Sequence, residues 1–351
     1  MKALVTGSSG IVGANLVREL LAAGWTVRAL VRPGPPRRAL AGLRVEIVPG
    51  DVLDPRSLPD AVAGADVVFH AAARFSYGAP PPELERIAVD GTRHVIQAAA
   101  SGGVKRFVLT SSSVVFGSSP NPESRNESSR FTPDDASAYA VSKVRQSSAA
   151  FAMAAAEKID VLAVCPTVTV GAWDYGLSES NAIIVKYLND PFRATFPGGC
   201  NIVSAADVAR AHRIVAERGA PGFSYLVGSE NLHWRELHAE ISSICGTYGP
   251  LTTATHTSAY LTAAWSEWSS RFTGAAPALT RDEVKMMRRW YWYDDARARE
   301  IGYRPRPARA ALHEAIDWLL RTDHIRPDVR QAMSVLELPP SRAAYAGAET
   351  T

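Results

Sequence analysis

The sequence predicts an α/β fold built on a doubly wound parallel sheet, with a smaller, interleaved C-terminal domain. From residue 2 to about 170, short β-branched or apolar runs alternate with helix-like segments, which is the pattern of βαβ units. A glycine-rich turn follows the first of these runs and precedes an amphipathic segment. After Pro166 the alternation breaks down, and Gly, Trp, Tyr and Pro become frequent.

The predicted strands of the first domain are short apolar runs. They read KALVTG, TVRALVR, VEIVPGD, DVVFHAA, RFVLTSS and DVLAVCP. The connection between the first two is predicted to be a crossover helix ended by Gly24. Its apolar residues recur at helical spacing and are Ile11, Val12, Leu16, Val17, Leu20 and Leu21. The later run FSYLVG, Phe223 to Gly228, is predicted to return to the sheet as a strand.

Two interleaved domains follow from these patterns. The first is expected to cover residues 1–170, with a returning segment at about 200–228. The second, which we expect to hold the substrate, comprises residues 171–199 and 229–325. Residues 334–351 are rich in Ala, Pro and Ser, and we expect them to form a mobile tail.

Composition excludes several functional classes. Of the 351 residues, 46% are hydrophobic and 21% charged, with a formal net charge of +3, which is ordinary for a globular protein. No block of like charges predicts a nucleic-acid arm or a membrane-binding helix. Cys165, Cys200 and Cys245 lack metal-ligand spacing, so we expect neither a disulfide framework nor a metal site. Without a bilayer-spanning run or a signal peptide, the protein is expected to be cytoplasmic.

The turn VTGSSGIVG places Gly7, Gly10 and Gly13 between the first strand and the first helix. Glycine permits a tight turn and close approach of the backbone to a pyrophosphate, and the helix N-terminus favours its negative charge. Inside a βαβ unit this motif predicts a Rossmann-type dinucleotide site; a simple turn is the alternative. The residues expected to contact the cofactor here are Thr6, Gly7, Ser9, Gly10, Ile11, Val12 and Gly13.

The end of the second strand is expected to select the cofactor. An acidic side chain there binds the ribose diol of NAD, whereas arginine accepts a 2′-phosphate. The run TVRALVRPG ends in Arg32, 19 residues after Gly13, with Arg37 and Arg38 nearby and no Asp or Glu beside it. We therefore expect a preference for NADP(H); if Arg32 only stacks over the adenine, NAD(H) also binds. The other cofactor contacts are expected at Asp51, Val52, Ala71, Ala72, Ala73, Thr110, Pro166 and Val168.

The run SAYAVSK places Tyr139 and Lys143 four residues apart. With 11 tyrosines and six lysines in the chain, roughly 0.2 such pairs are expected by chance. The two side chains share one helical face, where an ammonium can favour the phenolate of a group whose ordinary pKa is poorly matched to neutral pH. A helix-surface pair without function is the alternative.

Taken in order, the glycine turn, the serine cluster TSSSVVFG and Tyr-x-x-x-Lys resemble the extended short-chain dehydrogenases/reductases. LVRPG, GDVLDPRSL, DGTRHVIQAA, VLTSSSVVFG and ARAREIGYRPRP are most similar to the branch of dihydroflavonol reductases, 3β-hydroxysteroid dehydrogenases and hopanoid-associated epimerase-like proteins. The similarity runs from residue 1 to about 320. It implies that Tyr139 exchanges a proton with the reacting oxygen, that Lys143 also binds the nicotinamide ribose, and that Ser112, with Ser113 as the alternative, hydrogen-bonds that oxygen.

One departure from the family pattern lies near the expected active site. Many relatives have Asn-Val-x-Gly-Thr where this chain has AVDGT, so Ala88 replaces a side-chain amide. Any proton relay that depends on that amide is in doubt, whereas hydride transfer itself is not.

Aromatic residues of the variable section predict a lipophilic substrate, because apolar pockets with few polar groups suit such molecules. They are Phe75, Trp173, Tyr175, Trp265, Trp268, Trp290 and Trp292. Phe75, Trp173 and Tyr175, with Ser113, are the expected substrate contacts. Packing in the core of the smaller domain is the alternative.

These observations predict an NADPH-dependent reductase that transfers hydride to a ketone or aldehyde of an aromatic or polycyclic metabolite in specialised metabolism. Its partner is a small carbonyl or alcohol substrate, not a nucleic acid, and family habit implies a monomer or homodimer. The enzyme alternatives are a sugar epimerase with bound NAD, against which Arg32 argues, and a hydroxysteroid-type dehydrogenase. The alternative of another class is a non-catalytic NADP-sensing regulator, against which the Tyr-x-x-x-Lys motif argues.

Overall fold

The alternating apolar runs form a parallel sheet flanked by helices in a computed structural model that describes residues 1–34, 38–73, 80–133, 136–273, 277 and 279–334. The strands are β1 Lys2–Thr6, β2 Thr26–Val31, β3 Glu46–Pro49, β4 Val67–His70, β5 Arg106–Thr110, β6 Asp160–Pro166, β7 Val168–Val170, β8 Ala194–Thr195, β9 Gly199–Ser204, β10 Ser224–Val227, β11 Glu230–His233, β12 Thr252–Thr253 and β13 Trp290–Tyr291.

The α-helices surround these strands. They are α1 Ile11–Ala22, α2 Pro59–Val62, α3 Pro81–Glu85, α4 Gly91–Ser101, α5 Ala138–Glu157, α6 Glu179–Asn189, α7 Ala205–Arg218, α8 Trp234–Cys245, α9 His256–Thr273, α10 Arg281–Val284, α11 Ala296–Glu300, α12 Ala308–Leu319 and α13 Pro327–Gln331. A π-helical turn, Arg86–Asp90, joins α3 to α4 and buries Ala88.

The large sheet has the strand order β10-β6-β5-β4-β1-β2-β3, and every described neighbouring pair is parallel. The order therefore reverses direction between β1 and β4. In open α/β sheets ligands bind at such a switch point, outside the carboxyl ends of the strands. The sheet confirms the predicted fold class and fixes the edge at which a site is expected.

Helices cover both faces of this sheet, as its apolar strands require. On one face α1 packs against α7, and a core that includes Leu16, Val17 and Val208 lies between them and the strands. On the other face α4 packs against α5, over a core that includes Val95 and Ile96. Both layers bring their helix ends to the carboxyl edge of the sheet.

A smaller unit follows β6. Strands β7, β11 and β13 pair around β9, with β11 antiparallel and the other two parallel to it. Helices α6, α8 and α12 contribute to its apolar core. Because β10 lies beside β6 in the large sheet, the two units are interleaved along the chain. The predicted tail lies outside the described residues from residue 335 onwards.

Candidate active site

Tyr139 lies in the first turn of α5, at the carboxyl edge of the large sheet. Ser137 caps this helix, because its hydroxyl accepts a hydrogen bond from the backbone N–H of Ala140 at 3.2 Å. Lys143 follows one turn later, and both Tyr139 and Lys143 are buried. The sequence pair is thus held on one helical face that points into the protein and away from the surface.

The Lys143 ammonium is held by a buried hydrogen-bond chain. Nζ donates to the backbone carbonyl of Thr110 at 2.9 Å and to Oε1 of Gln146 at 2.7 Å. Nε2 of Gln146 donates in turn to Oγ1 of Thr92 at 2.9 Å, and the Gln146 side chain is fully buried. Burial lowers the pKa of Lys143 to about 8, so its charge changes close to physiological pH.

Ser112 joins Tyr139 across the site. It caps the short 3₁₀-helix at Ser113–Phe116, and its side chain is hydrogen-bonded to Tyr139. Burial raises the pKa of Tyr139 to about 12, although the bond from Ser112 opposes the rise. The Tyr139 phenol therefore holds its proton at neutral pH and is suited to donate it to a developing alkoxide.

The side chain of Ser113, the alternative to Ser112, bonds to Tyr293 and not to Tyr139. Its side chain is hydrogen-bonded to Tyr293, whose hydroxyl donates to the backbone carbonyl of Gly117 at 2.9 Å. Both Ser113 and Tyr293 are buried. Ser113 therefore fastens the turn behind the site, which leaves Ser112 as the serine hydroxyl beside the phenol.

A cavity opens directly at Tyr139. It encloses about 420 Å³ when the open solvent at its mouth is counted, and about 30 Å³ of this is space that a solvent molecule could occupy. The described residues that line it are Val114, Gly117, Ser118, Phe131, Thr132, Ala136, Ser137, Tyr139, Ala140, Met286, Arg289 and Tyr291. A small molecule bound here would have its reacting group next to the Tyr139 hydroxyl.

Of the expected substrate contacts, Ser113, Trp173 and Tyr175 are not among the described residues that line this cavity. The guanidinium carbon of Arg18 lies 3.6 Å from the ring centroid of Trp173. The ring centroids of Trp173 and Trp318 are 5.2 Å apart. Tyr175 makes an edge contact with the same Trp318 ring. These aromatics fasten the loop after β7 to α1 and α12. Phe75 lies outside the described residues.

The glycine turn has the geometry of a cradle for a dinucleotide. A side chain at Gly7 would come within 2.5 Å of the Ala71 backbone, and one at Gly13 would overlap the carbonyl of Gly7, whereas space remains beside Gly10. Helix α1 begins after Gly10 without a side-chain cap or an acidic residue in its first turn. Its first N–H groups therefore suit a pyrophosphate, and these residues fit the cofactor that the motif predicts.

The remaining residues of the proposed cofactor site lie along the same edge. Arg32 follows β2 and is exposed, as is Arg38, whereas Arg37 lies outside the described residues. Asp51 accepts a hydrogen bond from the backbone N–H of Leu53 at 2.9 Å. The other members, each placed at or just beyond a strand end, are Val52, Ala71, Ala72, Ala73, Thr110, Pro166 and Val168.

Thr6 couples the glycine turn to β4. Its hydroxyl is hydrogen-bonded to Nδ1 of His70 at 2.8 Å and accepts from the backbone N–H of Ala72 at 3.3 Å. Burial lowers the pKa of His70 to about 3, helped by the nearby Lys143 charge. A neutral His70 therefore stands beside the ammonium. Among the residues that the structure describes, no group of His, Cys, Asp and Glu is arranged to hold a metal ion.

Two contributors were missed by the sequence analysis. Gln146 is three residues after Lys143, so helical spacing alone could have placed it beside the ammonium. Tyr293 gives no such indication, because 176 residues separate it from Gly117. Only the folded chain brings that hydroxyl to the turn.

The chain belongs to the NAD dependent epimerase/dehydratase family, whose profile matches residues 3–228. Within this family the chain resembles the branch that contains dihydroflavonol reductases and sterol-modifying relatives. The sequence motifs predicted this branch. The protein is therefore an NAD(P)-dependent oxidoreductase.

Individual relatives cover nearly the whole chain. A "Putative dihydroflavonol 4-reductase" of Synechocystis sp. is 32% identical over 92% of this chain and 95% of its own. Sterol demethylase protein B of Methylococcus capsulatus is 31% identical over 91% of this chain and 98% of its own. The crystal structure of gox2253 superposes with a TM-score of 0.81 at 30% identity, over 92% of this chain and 99% of that one.

Proposed function

We propose that the protein is an NADPH-dependent reductase that transfers hydride to a ketone or aldehyde carbonyl of a lipophilic metabolite. The observation that carries this proposal is the buried, protonated Tyr139, which lines a cavity and is hydrogen-bonded to Ser112. A proton donor and an orienting hydroxyl beside one cavity are what reduction of a carbonyl requires.

The roles of the three side chains follow from their protonation and contacts. A bound nicotinamide would supply the hydride. The hydroxyls of Ser112 and Tyr139 orient and polarise the carbonyl oxygen, and Tyr139 gives up its proton as negative charge develops there. Lys143, held by Thr110 and Gln146, stabilises the phenolate that remains. Its ammonium is also expected to bind the nicotinamide ribose.

The proposed preference for NADPH depends on Arg32. Its exposed side chain follows β2, at the carboxyl edge beside the glycine turn, where it can reach a 2′-phosphate. An Arg32→Ala variant is expected to lose affinity for NADPH about tenfold or more while its affinity for NADH changes little. Equal losses for both cofactors would contradict this assignment.

Lipophilic character of the substrate is proposed from the cavity wall. Phe131, Met286 and Tyr291 line the cavity together with Tyr139. The names of the two relatives, a dihydroflavonol reductase and a sterol demethylase protein, refer to polycyclic molecules. We therefore propose an aromatic or polycyclic carbonyl compound as substrate. We also propose that the protein is a monomer or homodimer in the cytoplasm. The reducing cytoplasm suits its three buried cysteines, which are free thiols.

The test is oxidation of NADPH and, separately, NADH by the purified protein against a panel of aromatic and polycyclic ketones and aldehydes. Turnover is expected for the wild type, with a loss of at least about a hundredfold in Tyr139→Phe. Tyr248→Phe, which removes a hydroxyl from an exposed ring, is the matched control and is expected to keep full activity. Tight cofactor binding without turnover of any carbonyl would overturn the proposal and favour an epimerase or a sensor.

A further inference from the structure

Helix α9 buries its small residues and exposes its large ones. Ala259 and Ala263 face inward and pack with Val284 and Met287 in a small apolar cluster. Four large side chains on the opposite side form what we call the apolar stripe: Leu261, Trp265, Trp268 and Phe272, which are 64%, 66%, 50% and 74% exposed. A helix that docks only onto its own protein has the reverse arrangement.

The apolar stripe is continuous. Its members are four, three and four residues apart, so at 3.6 residues per turn they fall within an arc of roughly 60°. The ring centroids of Trp265 and Trp268 are 4.9 Å apart, as are those of Trp268 and Phe272. A connected exposed surface of this kind indicates an interaction site, unlike single exposed apolar residues.

Charge around the stripe favours one kind of partner. Residues 256–289 contain five Arg or Lys and three Asp or Glu, a net charge of about +2. Glu267 and Asp282 are paired with Arg281 and Lys285, while Arg271 and Arg288 are exposed. A second copy of this chain would bring the same positive sign to the contact, whereas an anionic surface is complementary.

We propose that α9 docks on the surface of a lipid bilayer that carries anionic headgroups, with the apolar stripe in the interfacial layer. Trp and Phe are the side chains that favour this layer, and neighbouring Arg and Lys add attraction to anionic lipid. The helix lies on the membrane and does not span it: none of the described helices combines the length and apolarity needed to cross a bilayer.

Docking by α9 places the candidate active site close to the bilayer. The inner face of α9 rests on Val284 and Met287, and Met286 and Arg289 of the same segment line the cavity at Tyr139. The segment that supports α9 therefore also forms part of the cavity wall.

Vesicle binding tests this directly and needs no substrate, so its outcome is independent of the proposed reductase activity. The wild-type chain is expected to float with vesicles of phosphatidylcholine and phosphatidylglycerol, and to bind vesicles of phosphatidylcholine alone less tightly. Binding to the mixed vesicles is expected to weaken as salt is raised. Brominated lipids should quench tryptophan fluorescence, and a Trp265→Phe/Trp268→Phe variant should lose most of that quenching while it still binds.

The matched pair of variants is Trp265→Ser/Trp268→Ser/Phe272→Ser and Phe192→Ser, the latter removing a 69% exposed ring outside α9. The triple variant is expected to lose vesicle affinity about tenfold or more, and the control to keep it, with unchanged circular dichroism in both. Absence of wild-type binding, or equal binding by the triple variant, would overturn the proposal. A wild-type dimer that the triple variant converts to a monomer, without vesicle binding, would assign the stripe to a second copy.

Discussion

Removing the Gln146 carboxamide should shift the pH dependence of the enzyme. Gln146→Met keeps an unbranched side chain of similar length but deletes the oxygen that accepts from Lys143 Nζ at 2.7 Å. A hydrogen bond to a charged group contributes about 1.5–3 kcal/mol, and one pKa unit corresponds to about 1.4 kcal/mol. The substitution should therefore lower the pKa of Lys143 by roughly 1–2 units from its value of about 8.

The sign of the rate effect follows from the ammonium. Lys143 is charged below its pKa, so carbonyl reduction is expected to be constant at low pH and to fall as pH rises through about 8. In Gln146→Met this fall should begin near pH 6–7, which makes the variant roughly 3–25-fold slower than wild type at pH 7.5. Gln146→Glu places a carboxylate beside the ammonium and should move the fall to higher pH.

The assay is the pH profile of kcat/KM for NADPH, which reports groups of the free enzyme. Gln97→Met, the same substitution on the exposed side of α4, is the control and should reproduce the wild-type profile. The reasoning is refuted if the rate of Gln146→Met falls at the same pH as that of wild type, because a purely structural role would lower the rate without moving the pH at which it falls.

Three further outcomes are expected. Gly10→Ala should leave the melting temperature unchanged, since space remains beside Gly10. It should weaken NADPH binding at least about tenfold, because the added methyl group would hinder close approach of a pyrophosphate to this turn; an unchanged Kd would contradict the assignment of the glycine turn to the cofactor. His70, His212 and His238 are buried with pKa values lowered by burial to about 3, about 4 and about 3. As pH falls, these histidines take up protons in the unfolded chain before they do so in the folded chain. The free energy of unfolding should therefore fall by roughly 1 kcal/mol per histidine per pH unit below about pH 6. Equal stability at pH 7 and pH 5 in urea titrations would contradict this prediction. Asp207 is fully buried and is paired with Arg210 and Arg306. Asp207→Asn should lower the free energy of unfolding by roughly 3 kcal/mol, measured by urea denaturation. An unchanged urea midpoint would rule this out.

The fold and the Tyr–Lys pair could be predicted because each leaves a local pattern. Parallel strands buried on both faces appear as short apolar runs, so β1 to β6 were visible in the sequence. Tyr139 and Lys143 are one helical turn apart, and helix periodicity places them on one face. Nothing beyond a single helix or strand is needed for either inference.

Contacts between distant segments could not be predicted in the same way. The sequence analysis assigned Trp265 and Trp268 to a lipophilic substrate site or to the core of the smaller domain, whereas both side chains are exposed on α9. Trp173 follows a strand of the site in sequence, yet its loop turns towards α1, where Arg18 covers the ring. Both the exposed side of α9 and the covering of Trp173 depend on contacts with residues distant in sequence. Only tertiary packing decides which side of each segment is covered.

Part of the cavity wall comes from a segment that is synthesised near the end of the chain. Trp290 bridges to Ser119 and Tyr293 to Arg125, so a segment from the last fifth of the sequence encloses a site whose glycine turn and Tyr–Lys pair belong to the first half. A ribosome releases the N-terminal part first. The glycine turn and the Tyr–Lys pair therefore leave the ribosome before the segment that completes the cavity, and premature termination ahead of residue 286 would remove Met286, Arg289 and Tyr291 from the cavity wall.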